Sequence, residues 1–174
     1  MKSGLFLVML IFAALLGGCD APVGDYVPVS AVSRNGFARD AASVGRLEGQ
    51  AIKLWGYVDH ANLYGDDGAR EILGEWWSGP GPSAAAWRFN LKARAEDGAG
   101  QSFAVHVPND AKRDELLRIF RADAEAGRPT RVFVTGRLAI FDAPTNAADR
   151  TGLVLEMESS QDILLTPPAE PGRS

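Results

Sequence analysis

The sequence predicts a mainly β protein: one small five-stranded barrel over residues 51–165, with a single helix between its third and fourth strands. Two observations carry that expectation. The first is a repeated strand design. Ile52-Lys53-Leu54-Trp55-Gly56-Tyr57-Val58 and Arg131-Val132-Phe133-Val134-Thr135-Gly136-Arg137-Leu138-Ala139-Ile140-Phe141 each alternate apolar residues, and one glycine interrupts each. A glycine inside a strand marks a bulge or tight bend, which a small barrel needs to turn its corners. The second is the order of elements, three strands, a helix and two strands. It is the order of the OB-fold, a partly open Greek-key barrel used mainly for binding.

Each element has its own justification. Strand 51–58 sends Ile52, Leu54 and Val58 to one side and Trp55 and Tyr57 to the other. Strand 86–93 places Trp87, Phe89 and Leu91 inward, with Arg88, Asn90 and Lys92 outward. Asp97-Gly98 makes the turn into strand 101–107, where Phe103, Val105 and Val107 face in and Ser102, Ala104 and His106 face out. Pro108 stops that strand, and Asn109 is the expected cap of the next helix. Leu116, Leu117, Phe120 and Ala124 form its apolar stripe; Gly127 and Pro129 end it. Strand 152–158 alternates Leu153, Leu155 and Met157 with Val154, Glu156 and Glu158.

The N-terminus carries an address. Lys2 precedes an unbroken apolar run from Leu5 to Leu16, too short for a membrane span of about 20 residues. It fits the helical core of a secretory signal, residues 1–18. Leu16-Gly17-Gly18-Cys19 resembles the bacterial lipobox, and the resemblance implies cleavage before Cys19, a diacylglycerol on its sulfur and an acyl chain such as palmitate on its amine. Cys19 is the chain's one cysteine, so no intrachain disulfide forms. The expected location is the periplasmic side of a bacterial membrane. Asp20 resembles the enteric retention signal that favours the inner membrane. Pro22, Gly24 and Pro28 suggest an extended tether over 19–30. Residues 31–50 approach the barrel, either through a short helix near 38–47 or as a loop, and 166–174 reads as a disordered tail.

Gly49-Gln50-Ala51-Ile52-Lys53-Leu54-Trp55-Gly56-Tyr57-Val58, with Val132, Val134, Thr135 and Gly136 later, resembles the exported bacterial OB-fold proteins grouped as tRNA-anticodon-binding-like. The resemblance implies the fold, and does not by itself imply contact with tRNA. An OB-fold binds across the outer face of its second and third strands, between two flanking loops. Here that face offers Arg88, Asn90, Lys92, Ser102 and His106. The first flank, 59–85, is long and holds Trp76 and Trp77, which either fold back over the barrel or provide a stacking surface. The second flank holds Asn146 and Arg150.

A net charge of −4, a pI near 5.2 and a face without aromatics count against nucleic acid. The expected partner is therefore an envelope protein or peptide. The alternative is a single strand or other polyanion held by Arg88, Lys92 and Arg150. Catalysis has little support: His60 and His106 are the only histidines, and no HExxH, G-x-S-x-G or P-loop spacing occurs. An enzyme using His106 is the weakest of the three readings. No cofactor is expected. A metal at His60 with Asp59, Asp66 and Asp67 has no recognised ligand spacing behind it.

Overall fold

The alternating segments form strands, as their patterning requires. The computed structural model describes residues 21–34, 37–38, 48–64, 86–98, 102–142 and 151–168. Their order is β1 (Val27–Pro28), β2 (Ser33–Arg34), β3 (Phe37–Ala38), β4 (Ala51–Tyr64), β5 (Ala86–Lys92), β6 (Ser102–Pro108), α1 (Arg113–Glu125), β7 (Arg131–Asp142), β8 (Thr151–Glu156) and β9 (Ile163–Leu164). Strands β4, β5, β6, β8 and β7 pair in that circular order, and β7 returns to β4 to close the ring. The β6–β8 pairing is parallel and the others are antiparallel. This is the Greek-key barrel of the OB-fold, with α1 between its third and fourth strands.

The interior is built from the inward rows. Leu54, Val58, Trp87, Phe89, Leu91, Phe103, Val105, Val107, Val132, Val134, Leu153 and Leu155 belong to one buried cluster. Leu116, Leu117 and Phe120 of α1 join it and plug one end. Phe120 has no exposed surface, and its ring lies 5.5 Å from Phe89 and 6.5 Å from Trp87. Burying such a side chain contributes about 2–3 kcal/mol. The helix begins later than expected, with Lys112 and not Asn109 at its N-cap and no side-chain cap bond there. Just before it, the Asp110 carboxylate accepts from the Lys112 N–H at 3.0 Å and from the Ser160 N–H at 2.8 Å. Burial works against that carboxylate. The two backbone donors outweigh it and hold its pKa below the ordinary value.

The two strand glycines mark close crossings. A Cβ on Gly136 would lie 2.5 Å from the Glu156 carbonyl oxygen and 2.9 Å from Leu155 Cγ; one on Gly56 would lie 2.9 Å from the Lys92 carbonyl oxygen. Neither has room for a side chain, so both glycines serve a close approach of backbones; the β4–β7 register runs through them unbroken, without the expected bulge.

The segment before the barrel corrects an expectation. Residues up to 30 read as a tether, yet the chain packs on the barrel from Val23 onward. Val23 and Tyr26 exchange backbone hydrogen bonds of 2.9 and 3.0 Å around Gly24. Val27 and Pro28 pair in parallel with Leu54 and Trp55, and Tyr26, Val29 and Val32 are buried. Tyr26, Val27, Val29 and Val32 carry too much apolar surface to stay wet, and that outweighs the proline and glycine signal. Tyr26 meets Phe133 edge-on at 5.4 Å in a second buried cluster that includes Trp55. The helix expected near 38–47 lies outside the described residues apart from Ala38, which is in β3. Residues 1–18, Cys19 and the tail from 169 also lie outside them.

Candidate functional site

The face expected to bind is enclosed. Arg88, Asn90, Ser102 and Ala104 point out of the barrel, as alternation predicts, but all four are buried; Arg88 is 0% exposed and Asn90 1%. The strand pattern tells which side a residue faces, and not whether another segment covers that side. Here β2 lies against β6, β3 pairs with β8, and Val154 on β8 is buried in the same outward row. Asn90 Nδ2 donates to Ser102 Oγ at 2.9 Å, a polar pair sealed inside the cover. Lys92 and His106, at the ends of the row, keep partial exposure. Trp76, Trp77, Asn146 and Arg150 lie outside the described residues, as do Asp66 and Asp67. The open groove between two flaps is therefore corrected at its floor.

An open cleft sits elsewhere, at a kink in β4. Tyr57 and Val58 pair with Lys92 and Leu91, whereas Leu63 and Tyr64 pair with Phe89 and Arg88. The β4 side thus has four residues, Asp59 to Asn62, where β5 has only Asn90. Such an excess must leave the ladder and bulge. Asp59 is buried within the bulge, and its Oδ1 accepts from the Ala61 N–H at 3.3 Å. This corrects the placing of Asp59 in the flanking loop 59–85. It and His60 belong to a strand that runs on to Tyr64.

The bulge delivers His60 to the turn between α1 and β7. That turn is fixed by Gly127, which takes a positive φ of 63° and donates its N–H to the Ala124 carbonyl. Asp123 Oδ1 accepts from Arg128 Nη2 at 2.7 Å and Nε at 3.1 Å. Thr130 Oγ1 donates to Asp123 Oδ2 at 2.8 Å, so its oxygen is left to accept from His60 Nε2–H at 2.9 Å. The neutral imidazole consequently carries its lone pair on Nδ1. Burial lowers the His60 pKa, with help from Lys92. The Asp123 and Asp59 carboxylates oppose this, and the balance stays below the ordinary value. Asp123 is held below its ordinary range by the Arg128 and Thr130 hydrogen bonds.

The resulting cleft has a volume of about 470 Å³ and is walled by Tyr57, His60, Lys92, Glu96, Arg128 and Pro129. Its wall carries both signs of charge beside an aromatic ring and a proline. Of the residues expected to bind a partner it contains Lys92 alone; Asp59 and His60 of the metal reading also line it. The sequence offers His60 only as a metal ligand and assigns no site role to Tyr57, Asp123, Arg128 or Thr130. The available signal was the position of His60 directly after an alternating strand.

No protein-family model matches the chain, and no curated protein matches it. Among solved structures, it is similar to "OBody AM2EP06 bound to hen egg-white lysozyme", with 20% identity over 74% of this chain and 91% of that one and a TM-score of 0.35. The fold assignment rests on the strand order and pairing of the barrel.

Proposed function

We propose that this protein is a lipid-anchored OB-fold interaction module of the bacterial envelope, held through Cys19, that engages a protein or peptide partner without chemical turnover. The partner is received at the β4 kink. What supports this reading is one contrast: Arg88 and Asn90 on the usual binding face are enclosed, while the cleft of Tyr57, Lys92, Glu96 and Arg128 is open. A phosphate backbone selects for a basic strip with stacking aromatics. A wall of mixed charge with one tyrosine and a proline is better matched to polypeptide, whose backbone and side chains present donors and acceptors of both kinds.

The test is a photo-crosslinking residue at Glu96 in the full lipidated chain, irradiated in native membranes. The expected outcome is a discrete adduct with one envelope protein, diminished by Lys92→Glu and by Tyr57→Ala. An adduct that ignores both changes overturns the cleft as the contact. If oligonucleotide binds at low salt with a steep salt dependence, the polyanion reading takes its place. A parallel arm replaces Trp76 and Trp77 by alanine; loss of the adduct there makes the 65–85 segment part of the same interface. Incorporation of labelled palmitate, absent in Cys19→Ser, tests the anchor separately.

A further inference from the structure

We propose that the outer face of β4 and β7 lies against the phospholipid headgroups of the membrane that holds the protein. The inference rests on the reading of Cys19 as the lipidated residue and adds to it an orientation and a contact surface.

The length of the leash carries the argument. Only four peptide steps separate Cys19 from Val23, where the chain first becomes fixed to the barrel. Four steps reach at most about 14 Å when fully extended. The next residues cannot pay out as slack. Tyr26 is locked against Phe133, its hydroxyl lies 3.4 Å from Thr135 Oγ1, and Val27–Pro28 is paired with β4. A tether running to residue 30 would let the barrel turn freely above the bilayer. A leash that ends at Val23 brings one face down and keeps the opposite side away.

The composition of that face agrees. Ala51, Lys53, Trp55 and Tyr57 of β4 stand directly opposite Arg137, Thr135, Phe133 and Arg131 of β7, so these eight residues share one side of the sheet; Trp55 and Phe133 are buried in it, while Ala51, Lys53 and Arg137 are exposed. The eight include three cations, in a chain whose net charge is −4; the exposed carboxylate of Glu156 stands opposite Arg137 on β8. Asp25 and Glu158 approach from the margins, pairing with Lys53 at 3.2 Å and with Arg137 at 3.7 Å, and both pairs are largely exposed. Arg131 lies over the Trp55 ring at 4.1 Å. Leu165, the one exposed large hydrophobic residue among the described residues, follows Leu164, which packs on this face. Exposed Lys53 and Arg137 at the rim, next to an acyl anchor, suit a headgroup layer.

The experiment uses the full lipidated chain in phosphatidylcholine vesicles with and without phosphatidylglycerol. Acylated Cys19 has no free thiol, so Ala51→Cys, on the face, or Asp97→Cys, in the β5–β6 turn, takes a single fluorophore. Quenching by a headgroup nitroxide lipid reads the distance. The expected result is stronger quenching at 51 than at 97, enhanced by phosphatidylglycerol. Each cation near an anionic surface favours the docked state roughly fivefold, so Lys53→Glu with Arg137→Glu lowers the docked population by more than about tenfold. Both residues are exposed, and Lys53→Gln with Arg137→Gln gives a milder version of the same change. Equal quenching at the two positions, or quenching indifferent to charge while Cys19 carries lipid, overturns the docking and leaves the anchor standing. A Cys19 without lipid overturns both.

Discussion

On the outer face of β5 and β6, Arg88 is wholly enclosed in a row with Asn90, Ser102 and Ala104. On the outer face of β4 and β7, Arg131 is half-buried and stacked over the Trp55 and Phe133 rings, with Lys53 and Arg137 at the wet margins. Both rows alternate cations with other residues, and both acquire a cover. The covers differ. Polar side chains are sealed under the first, so their chemistry serves the structure. Rings are sealed under the second, where Tyr26 and Leu164 close over Trp55 and Phe133 and the charges remain at the rim. Charge alone does not identify a binding surface; what lies over it decides.

The contrast can be broken most sharply at the two arginines. Arg88→Ala removes a fully enclosed side chain and should cost about 3 kcal/mol by the cavity it leaves, read by chemical denaturation. Gly136→Ala comes next, at about 2 kcal/mol, because the new methyl meets the Glu156 carbonyl of the strand that crosses there. Gly56→Ala should cost less, its nearest backbone atom being 2.9 Å away instead of 2.5 Å. Arg131→Ala should cost only about 1 kcal/mol, the worth of a stacked cation at a partly exposed site. Equal costs at Arg88 and Arg131 would erase the distinction between the two covers.

The smallest effect is a pH dependence at the cleft. The folded His60 has a lowered pKa, so the unfolded chain takes up a proton first as pH falls below the ordinary 6.5. Stability is therefore full above that value and declines as pH falls toward the folded pKa. His60→Gln should flatten this part of the profile. Asp123, also lowered, contributes above its ordinary carboxylate range and loses that contribution in more acidic solution as pH falls through its folded pKa. Asp123→Asn should shrink the acid limb, to which Asp110 still contributes, while leaving the His60 limb visible.

The barrel was legible because its inward rows alternate without exception from Trp87 to Leu91 and from Phe103 to Val107, and because α1 has one apolar stripe and a glycine stop. Its covers were not. Alternation specifies that Arg88 faces away from Phe89, and is silent on what lies beyond Arg88. The covering segment at 26–38 was masked by Pro22, Gly24 and Pro28, which resemble a linker even though Tyr26, Val29 and Val32 are core residues. The cleft was hidden for another reason. It is assembled from the bulge at 59–62, the β5–β6 turn and the turn after α1, which only the closed ring brings together. Asp123, Thr130 and His60 have no shared spacing, so no local pattern announces their hydrogen-bonded line.

The closing seam joins Ala51 to Arg137 and Tyr57 to Arg131. A chain synthesised from its N-terminus therefore has the whole of β4 complete long before its seam partner exists. Pairings this remote in sequence form slowly, after the intervening loops have been gathered in. Until β7 and then β8 have been made, the ring has a side missing and the polypeptide cannot close. The same seam that makes the finished ring hard to open postpones its completion until its last strands have been made.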